Sequence, residues 1–237
     1  MSKSKNFIDQ YQILEKKLKK IARSKDGARL ADIVSNVCNK NKFLESKRSL
    51  LYDLNALRGV FSHQKRDRYI AEVNDLAITE VTKILEILDN PPKVGDVFKT
   101  DMFVARMDDN VDYILREMQK NIYTHIPVYD NCNNYIGTFT ETSLLDWLVD
   151  FIKDGHAYFN KTKMSDVKHK YLHSKINRVA FIKPEKSIFE IEKMFEDVVK
   201  KEQRLGAIFI TKDGKEHGEL PIGIITAWDL YRIKEYL

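Results

Sequence analysis

Residues 222–229 read Ile222-Gly223-Ile224-Ile225-Thr226-Ala227-Trp228-Asp229, an apolar run that contains an early glycine and ends in Thr and Asp. Short apolar runs bounded by turn residues are typical of buried strands. A related stretch, Ile136-Gly137-Thr138-Phe139-Thr140, occurs earlier in the chain. A segment with helical spacing of apolar residues follows each stretch. The pair therefore predicts two copies of one strand–helix unit.

Two further blocks repeat in the same order. Val94-Gly95-Asp96-Val97 is similar to Met164-Ser165-Asp166-Val167, and residues 103–111 align with residues 180–188. Two copies of a small unit usually pack around a pseudo-twofold axis. In the first copy we predict strands at 103–105, 126–129 and 135–140, and helices at 111–120 and 141–152.

Residues 6–90 carry apolar residues at helical spacing and predict an all-helical segment. We expect four helices, at about 7–21, 28–39, 43–57 and 69–88. Asp89-Asn90-Pro91-Pro92 ends the last helix, because proline lacks an N–H and disfavours helix before it. The predicted domains are 1–92, 93–163 and 164–237. The predicted fold class is α+β: an N-terminal four-helix bundle followed by two tandem β-α-β-β-α repeats.

The composition excludes several classes of protein. The chain has 237 residues, 43% of them hydrophobic, with 9 Gly and 5 Pro, which rules out collagen-like and low-complexity chains. No apolar run approaches the roughly 18 residues that cross a membrane, and no secretory signal is predicted. Cys38 and Cys132 form no metal-ligand pattern. Two thiols in a chain of this size favour a reducing cytoplasmic location.

The positive charge lies in the helical segment. Residues 1–92 contain 18 Lys and Arg against 12 Asp and Glu, a surplus of six, whereas residues 93–237 contain 22 against 23. A basic segment favours an anionic partner such as RNA. The alternative is an ordinary solvated face, and this is the interpretation that we favour.

The two repeats resemble CBS domains, and the pair resembles a Bateman module, over about 93–237. The family's signature is Gly, two apolar residues, Thr or Ser, two further residues, and Asp. The second repeat has the signature intact from Gly223 to Asp229, whereas the first has Ser143 in place of Asp. The stretch His125 to Asp130 is also similar to the family's second strand.

The resemblance implies a regulatory ligand between the repeats, an adenosine nucleotide (AMP, ADP or ATP) or a related adenosyl compound. Thr226 and Asp229 would hold its ribose, and phosphate would lie near the helix start, where free N–H groups favour anions. The residues implied at such sites are Gly223, Thr226, Asp229, Ile182, Leu205, Ala207, Arg204, His125, Thr140 and Ser143. Arg204 and His125 are the phosphate candidates, and Thr140 and Ser143 belong to a weaker first site. The alternatives are helix capping for Thr226 and Asp229 and solvated loop positions for Arg204 and His125.

The helical segment contains Leu54-Asn55-Ala56-Leu57-Arg58-Gly59-Val60-Phe61-Ser62-His63. Over roughly 6–90 it resembles the HEPN domain, a four-helix bundle with an Arg, four residues, His motif. The resemblance implies metal-independent RNA cleavage across a homodimer. His63 would exchange a proton, and Arg58 would stabilise charge on the phosphate. Gly59 departs from the polar residue of active members, and a structural role for Arg58 and His63 is the alternative.

The sequence thus predicts a cytoplasmic regulatory protein. The repeat pair would sense the adenosine-type ligand, and the helical domain would form a homodimer and transmit the signal. One alternative is a HEPN-type endoribonuclease gated by the ligand, and another is a structural dimerisation module without ligand. The sequence leaves enzymatic activity open and favours its absence, and it predicts no metal site.

Overall fold

We describe a computed structural model of the chain, covering residues 2–24, 27–62, 72–98, 101–154, 161–172, 178–201 and 203–237. Within these residues no helix is both long and apolar enough to span a bilayer. The chain divides into two compact units. The helical unit comprises Met1–Pro92, Ser187–Glu192 and Ile233–Leu237, and the sheet unit comprises Lys93–Lys186 and Lys193–Arg232. The helical unit therefore includes two short segments that sequence analysis places in the second repeat.

The helical unit is built on its first helix. Its helices are α1 (Lys3–Ala22), α2 (Leu30–Cys38), α3 (Lys42–Ser46), α4 (Arg48–Ser62) and α5 (Asp75–Asp89). Phe7, Tyr11, Leu14 and Leu18 form the fully buried stripe of α1, at the three- and four-residue spacing of one helix face. This stripe packs against α2, α4 and α5. The apolar spacing in the sequence correctly predicted this face.

Two predicted helix boundaries are wrong. The third predicted helix is divided at Lys47 into α3 and α4, and the Ser46 hydroxyl donates to the Phe43 carbonyl at 2.7 Å beside the division. Such local side-chain bonds compete with the helical ladder. In the fourth predicted helix, 69–71 lie outside the described residues and 72–74 are not helical. Helix α5 begins at Asp75, where Asn74 caps it by accepting the Leu76 N–H at 3.0 Å.

Part of the basic surplus of α1 is neutralised inside the helical unit. Lys3 pairs with Asp75 at 2.8 Å, and Lys17 pairs with Asp89. Lys19 pairs with Glu15 at 2.6 Å, one helical turn away. The surplus of six for residues 1–92 already counts these acidic partners, so the pairs leave it unchanged.

The sheet unit contains two three-stranded sheets of identical order. The first repeat comprises α6 (Val94–Phe98), β1 (Ala105–Arg106), α7 (Val111–Asn121), β2 (His125–Tyr129), β3 (Tyr135–Thr140) and α8 (Glu141–Asp154). The second comprises β4 (Arg178–Ile182), α9 (Phe189–Val199), β5 (Leu205–Ile210), β6 (Gly223–Ile225) and α10 (Leu230–Lys234). In each sheet the first strand is parallel to the second, and the second is antiparallel to the third. The predicted alternation of strands and helices is confirmed.

Each repeat is hydrogen-bonded to the other through its entry segment. The N–H groups of Val94 and Gly95 donate to the carbonyls of Lys186 and Pro184 at 2.8 and 2.9 Å. The N–H groups of Met164 and Ser165 donate in the same way to the carbonyls of Asp109 and Met107, both at 2.9 Å. These equivalent bonds relate the repeats by the pseudo-twofold arrangement that the sequence predicted.

The strand β3 matches its predicted range of 135–140, but β1 does not match the range 103–105. Only Ala105 and Arg106 pair with β2, opposite Val128 and Tyr129. The Arg106 N–H then donates to the Asp109 carboxylate at 2.7 Å, which turns the chain towards α7. Phe103, before the strand, packs its ring against other aromatic residues.

Gly137 is required by close packing in β3. A Cβ at this position would lie 2.6 Å from the backbone oxygen of Tyr171 and 2.8 Å from its ring. The Tyr171 side chain is buried, and its hydroxyl donates to the Met164 carbonyl at 2.8 Å. Neither neighbour can move without disturbing the segment that joins the repeats.

We therefore expect Gly137→Ala to lower the free energy of unfolding by about 1–3 kcal/mol, the usual cost of overpacking. Gly59→Ala is the matched control. It lies in α4 with nothing within 4 Å of an added Cβ, and should stabilise its helix by about 0.5–1 kcal/mol. Thermal and urea unfolding of both variants measure the two effects. A Gly137→Ala protein with the same free energy of unfolding as the parent would contradict the close packing described above.

Candidate functional site

A cleft of about 290 Å³ lies within the sheet unit, between the two repeats. Its walls come from the segment before β1, the end of α7 with the start of β2, and the end of β6. The lining residues are Asp101, Met102, Phe103, Ile122, Tyr123, Thr124, His125, Ile224 and Thr226. The cleft thus joins Thr226 of the second-repeat signature to residues of the first repeat.

Thr226 and Asp229 form a capping box at the turn that leads into α10. The N–H and hydroxyl groups of Thr226 donate to Asp229 Oδ2 at 2.8 and 2.9 Å. The capping role considered from the sequence is therefore present. The second carboxylate oxygen, Oδ1, has no hydrogen-bond partner among the described residues. The cap uses one oxygen of Asp229 and leaves the other without a partner in the described residues, although Asp229 itself is not among the residues that line the cleft.

One wall of the cleft is aromatic and apolar. The rings of Phe103 and Tyr123 stack with centroids 6.2 Å apart and planes inclined by 14°. Ile122 stands beside them, 85% exposed, in the left-handed conformation at φ 57°. β-Branched residues rarely adopt this conformation, and here it ends α7 and leaves an apolar side chain open at the cleft. A flat apolar group could be covered by these three side chains.

His125 lies in the cleft, as one of the predicted ligand residues. Its Nδ1 shares a hydrogen bond with the Thr124 hydroxyl at 2.9 Å. Burial lowers the pKa of His125 below its ordinary value, and the nearby Glu141 carboxylate opposes this shift only in part. The imidazole is therefore neutral near pH 7 and can exchange hydrogen bonds without contributing positive charge.

The other residues predicted for the second-repeat site lie apart from the cleft walls. Ile182, Leu205 and Ala207 are buried in β4 and β5, and none is among the lining residues. Arg204 precedes β5, is exposed, and does not line the cleft either. Gly223 begins β6 and is buried. Sequence reasoning missed Phe103, Ile122 and Tyr123, because the alignment of repeats does not say which wall of one copy faces the signature of the other.

In the first-repeat signature, Thr140 and Ser143 are buried against each other. Thr140 and Ser143 are 3% and 2% exposed, and their hydroxyl groups share a hydrogen bond at 3.2 Å. The Ser143 N–H also donates to Thr140 Oγ1 at 3.2 Å, which caps α8. Serine thus replaces the aspartate in the cap but offers no exposed acceptor.

The Arg58 guanidinium belongs to an ion-pair cluster in the helical unit. It lies 3.4 Å from Glu15, and Glu15 also pairs with Lys19 at 2.6 Å. The neighbouring Tyr11 is fully buried, and burial raises the pKa of its phenol above the ordinary value. His63 lies outside the described residues. Among those described, no group of three or more His, Cys, Asp or Glu side chains could hold a metal ion.

Residues 94–150 match the family model described as the CBS domain, so the chain contains a CBS domain over its first repeat. This confirms the resemblance for the repeat whose signature is incomplete. No curated protein matches the chain.

Three solved structures are among those that the chain matches. A putative acetoin utilization protein, AcuB, from Vibrio cholerae is 17% identical, with 60% of this chain and 90% of that chain covered and a TM-score of 0.43. The CBS domain of a membrane protein from Sphaerobacter thermophilus is 18% identical, with 66% and 96% covered and a TM-score of 0.44. The CBS domain pair of protein MJ0100, solved with 5′-methylthioadenosine and S-adenosyl-L-methionine, is 14% identical, with 61% and 97% covered and a TM-score of 0.42.

Proposed function

We propose that this chain is a cytoplasmic regulatory protein whose paired repeats bind an adenosyl ligand in the cleft at Thr226. The helical unit dimerises and transmits the bound state. The observation that best supports this proposal is the cleft, in which Thr226 of the second-repeat signature lies opposite an aromatic wall from the first repeat. Its volume of about 290 Å³ lies near the lower end of small-molecule sites, roughly 300 Å³, and suits a nucleoside.

The chemistry of the two walls supports an adenosyl group. The rings of Phe103 and Tyr123 and the side chain of Ile122 form an apolar wall. A purine base has flat, apolar faces and could pack against such a wall. Ribose presents two adjacent hydroxyl donors. Asp229 Oδ1 is a charged acceptor without a protein partner in the described residues, and Thr226 beside it lines the cleft. Charge-assisted bonds of this kind are the strong ones.

Asp229→Asn separates binding from folding. Asparagine keeps an acceptor for the Thr226 cap but replaces the free carboxylate oxygen by an amide. We expect an unchanged melting temperature and a ligand affinity lower by roughly 10- to 150-fold, equivalent to about 1.5–3 kcal/mol. Asp229→Ala should weaken binding similarly and also lose about 1 kcal/mol of stability with the cap.

Calorimetry with adenosine, 5′-methylthioadenosine, S-adenosylmethionine, AMP, ADP and ATP measures the affinities. We expect one ligand per chain, because Thr140 and Ser143 are buried against each other. Exposed Trp228, two residues after Thr226, supplies a fluorescence signal, whereas Trp147 is buried. Equal affinity of the Asp229→Asn and parent proteins would remove Asp229 from the site, and no heat with any ligand would refute the sensor function.

The helical unit is better suited to assembly than to catalysis. Arg58 is engaged by Glu15, so a phosphate would have to compete with a carboxylate already in contact. Gly59 follows it, where active HEPN members have a polar residue. Arg58 therefore stabilises the contact between α1 and α4, and we propose no nuclease activity.

Incubation of the protein with total RNA in EDTA, beside the His63→Ala variant, tests this assignment. We expect intact RNA in both samples, because the guanidinium is held in an ion pair. Glu15→Gln serves as a companion variant, since it releases Arg58 without removing it. Cleavage by the parent protein that is lost in His63→Ala would make the chain a ribonuclease.

Homodimer formation is supported by apolar side chains left open on the sheet unit. Leu145 and Val149 on α8 are 60% and 44% exposed, and Tyr231 on α10 is 64% exposed. Exposed apolar surface of this kind marks sites of association. We expect light scattering at micromolar concentration to give about twice the chain mass of 27.8 kDa. A Leu145→Lys/Val149→Lys variant should weaken the dimer by removing its contact on the sheet unit while the contact between helical units remains, and a monomeric parent would contradict the proposal.

A further inference from the structure

We infer that the helical unit binds single-stranded nucleic acid on a basic surface formed by Lys20, Arg23, Lys40 and Arg48, together with Tyr52. These residues belong to the helical unit, whereas the cleft belongs to the sheet unit. Nucleic-acid binding at the basic surface is therefore a further activity, and it does not depend on the ligand proposed for the cleft.

The positive charge of the helical segment is concentrated in one stretch of the chain. Residues 19–48, from the end of α1 to the start of α4, contain nine Lys and Arg against three Asp and Glu. The rest of residues 1–92 contains nine of each, so this stretch carries the whole surplus of six. A cation-rich region of this kind attracts a polyanion.

Contacts in the structure bring four of these cations together. The Lys40 ammonium donates to the carbonyl of the last residue of α1 at 3.4 Å, beside Arg23, which caps that helix. Lys20 lies one helical turn before Arg23. The Arg48 guanidinium donates to the side-chain oxygen of Asn39, the neighbour of Lys40 in the chain, at 2.9 Å. The four cations therefore lie near one another around the end of α1.

Among the residues that the structure describes, none of these four side chains forms an ion pair. Three of the four are exposed, and Arg48 is half-buried. Two carboxylates of the same helices are held by other cations. Glu15 pairs with Lys19 at 2.6 Å, and Glu45 pairs with Lys42 at 3.1 Å. Phosphates would therefore meet unpaired cations, which favours a binding surface over the ordinary solvated face expected from the sequence.

Tyr52 adds an aromatic ring to the basic surface. It follows Arg48 by four residues in α4, so the two side chains lie on the same helix face. Tyr52 is 36% exposed, and among the described residues of 19–52 it is the only large apolar side chain that is exposed. One exposed ring suits stacking of an unpaired base, whereas insertion into a membrane surface needs several large apolar side chains. The basic surface therefore favours single-stranded nucleic acid over an anionic membrane.

Fluorescence anisotropy of the full chain with labelled oligouridylate and oligodeoxythymidylate of about 16 nucleotides, in EDTA, tests the basic surface. We expect both single strands to bind and a duplex of the same length to bind more weakly, because its bases are not free to stack on Tyr52. Four phosphate contacts on a single strand should give a slope of about −3 for the logarithm of the binding constant against the logarithm of the salt concentration.

Arg23→Gln/Lys40→Gln removes two cations of the basic surface. It should weaken binding by roughly tenfold and make the salt dependence shallower by about 1.4. Lys3→Gln/Lys5→Gln is the matched control, because it removes the same charge from α1 at a distance of at least ~22 Å from Lys20 along the helix. Salt screens charges at that separation, so the control should bind as the parent does.

Tyr52→Ala should weaken binding by roughly 5- to 100-fold, the usual loss of one stacked base, and leave the salt dependence unchanged. Tyr52→Phe keeps the ring and should bind as the parent does. Thermal unfolding of each variant checks that the helical unit remains folded.

Absence of binding to either single strand at low salt would refute the basic surface. An equal loss of affinity in the two double variants would indicate a general attraction by the charge of the chain and would overturn it as well. Tighter binding of the duplex, or a Tyr52→Ala protein that binds as tightly as the parent, would overturn the assignment to single strands. Displacement of the oligonucleotide by phosphatidylserine vesicles at equal phosphate concentration would assign the surface to a membrane instead.

Discussion

The exchange of backbone hydrogen bonds between the repeats is the constraint on which the sheet unit depends. Gly95 donates to the Pro184 carbonyl, and Ser165 donates to the Met107 carbonyl, each at 2.9 Å. Backbone N–H groups need partners, and the carbonyls that accept from Val94, Gly95, Met164 and Ser165 all belong to the other repeat. A Cβ on Gly95 would lie 2.6 Å from that of Pro184, so the two segments pack at the closest approach that the backbone permits.

This exchange also determines how the cleft is assembled. The signature residue Thr226 comes from one repeat, whereas Phe103, Tyr123 and His125 come from the other. The polar end and the apolar wall of a single site can therefore change independently, although both derive from the same repeated motif. The buried pair of Thr140 and Ser143 illustrates this, since the first repeat has serine in place of the signature aspartate and still supplies the wall opposite Thr226.

The local features could be predicted from the sequence, and the contacts between copies could not. The strand 135–140 and the buried stripe of α1 follow from spacing alone, because periodicity reports which side chains face inward. The division at Lys47 lies beside a hydrogen bond from the Ser46 hydroxyl to Phe43, and spacing reveals neither feature. Of the residues expected to hold the ligand, Thr226 and His125 line the cleft, whereas Asp229, Ile182, Leu205 and Ala207 do not. The repeated motif predicts two copies of one unit but does not predict which surfaces of the two copies pack together.

The capping box at Thr226 has a consequence for the descent of such chains. One oxygen of Asp229 holds the start of the helix together, and a lineage that no longer met its ligand would still be selected to keep that carboxylate for folding. The signature can thus outlive the activity associated with it. Ile122, which is 85% exposed, has no comparable role in folding, and its side chain would be the first to change. A chain that had lost binding would therefore show substitutions in the apolar wall of the cleft while Thr226 and Asp229 were retained.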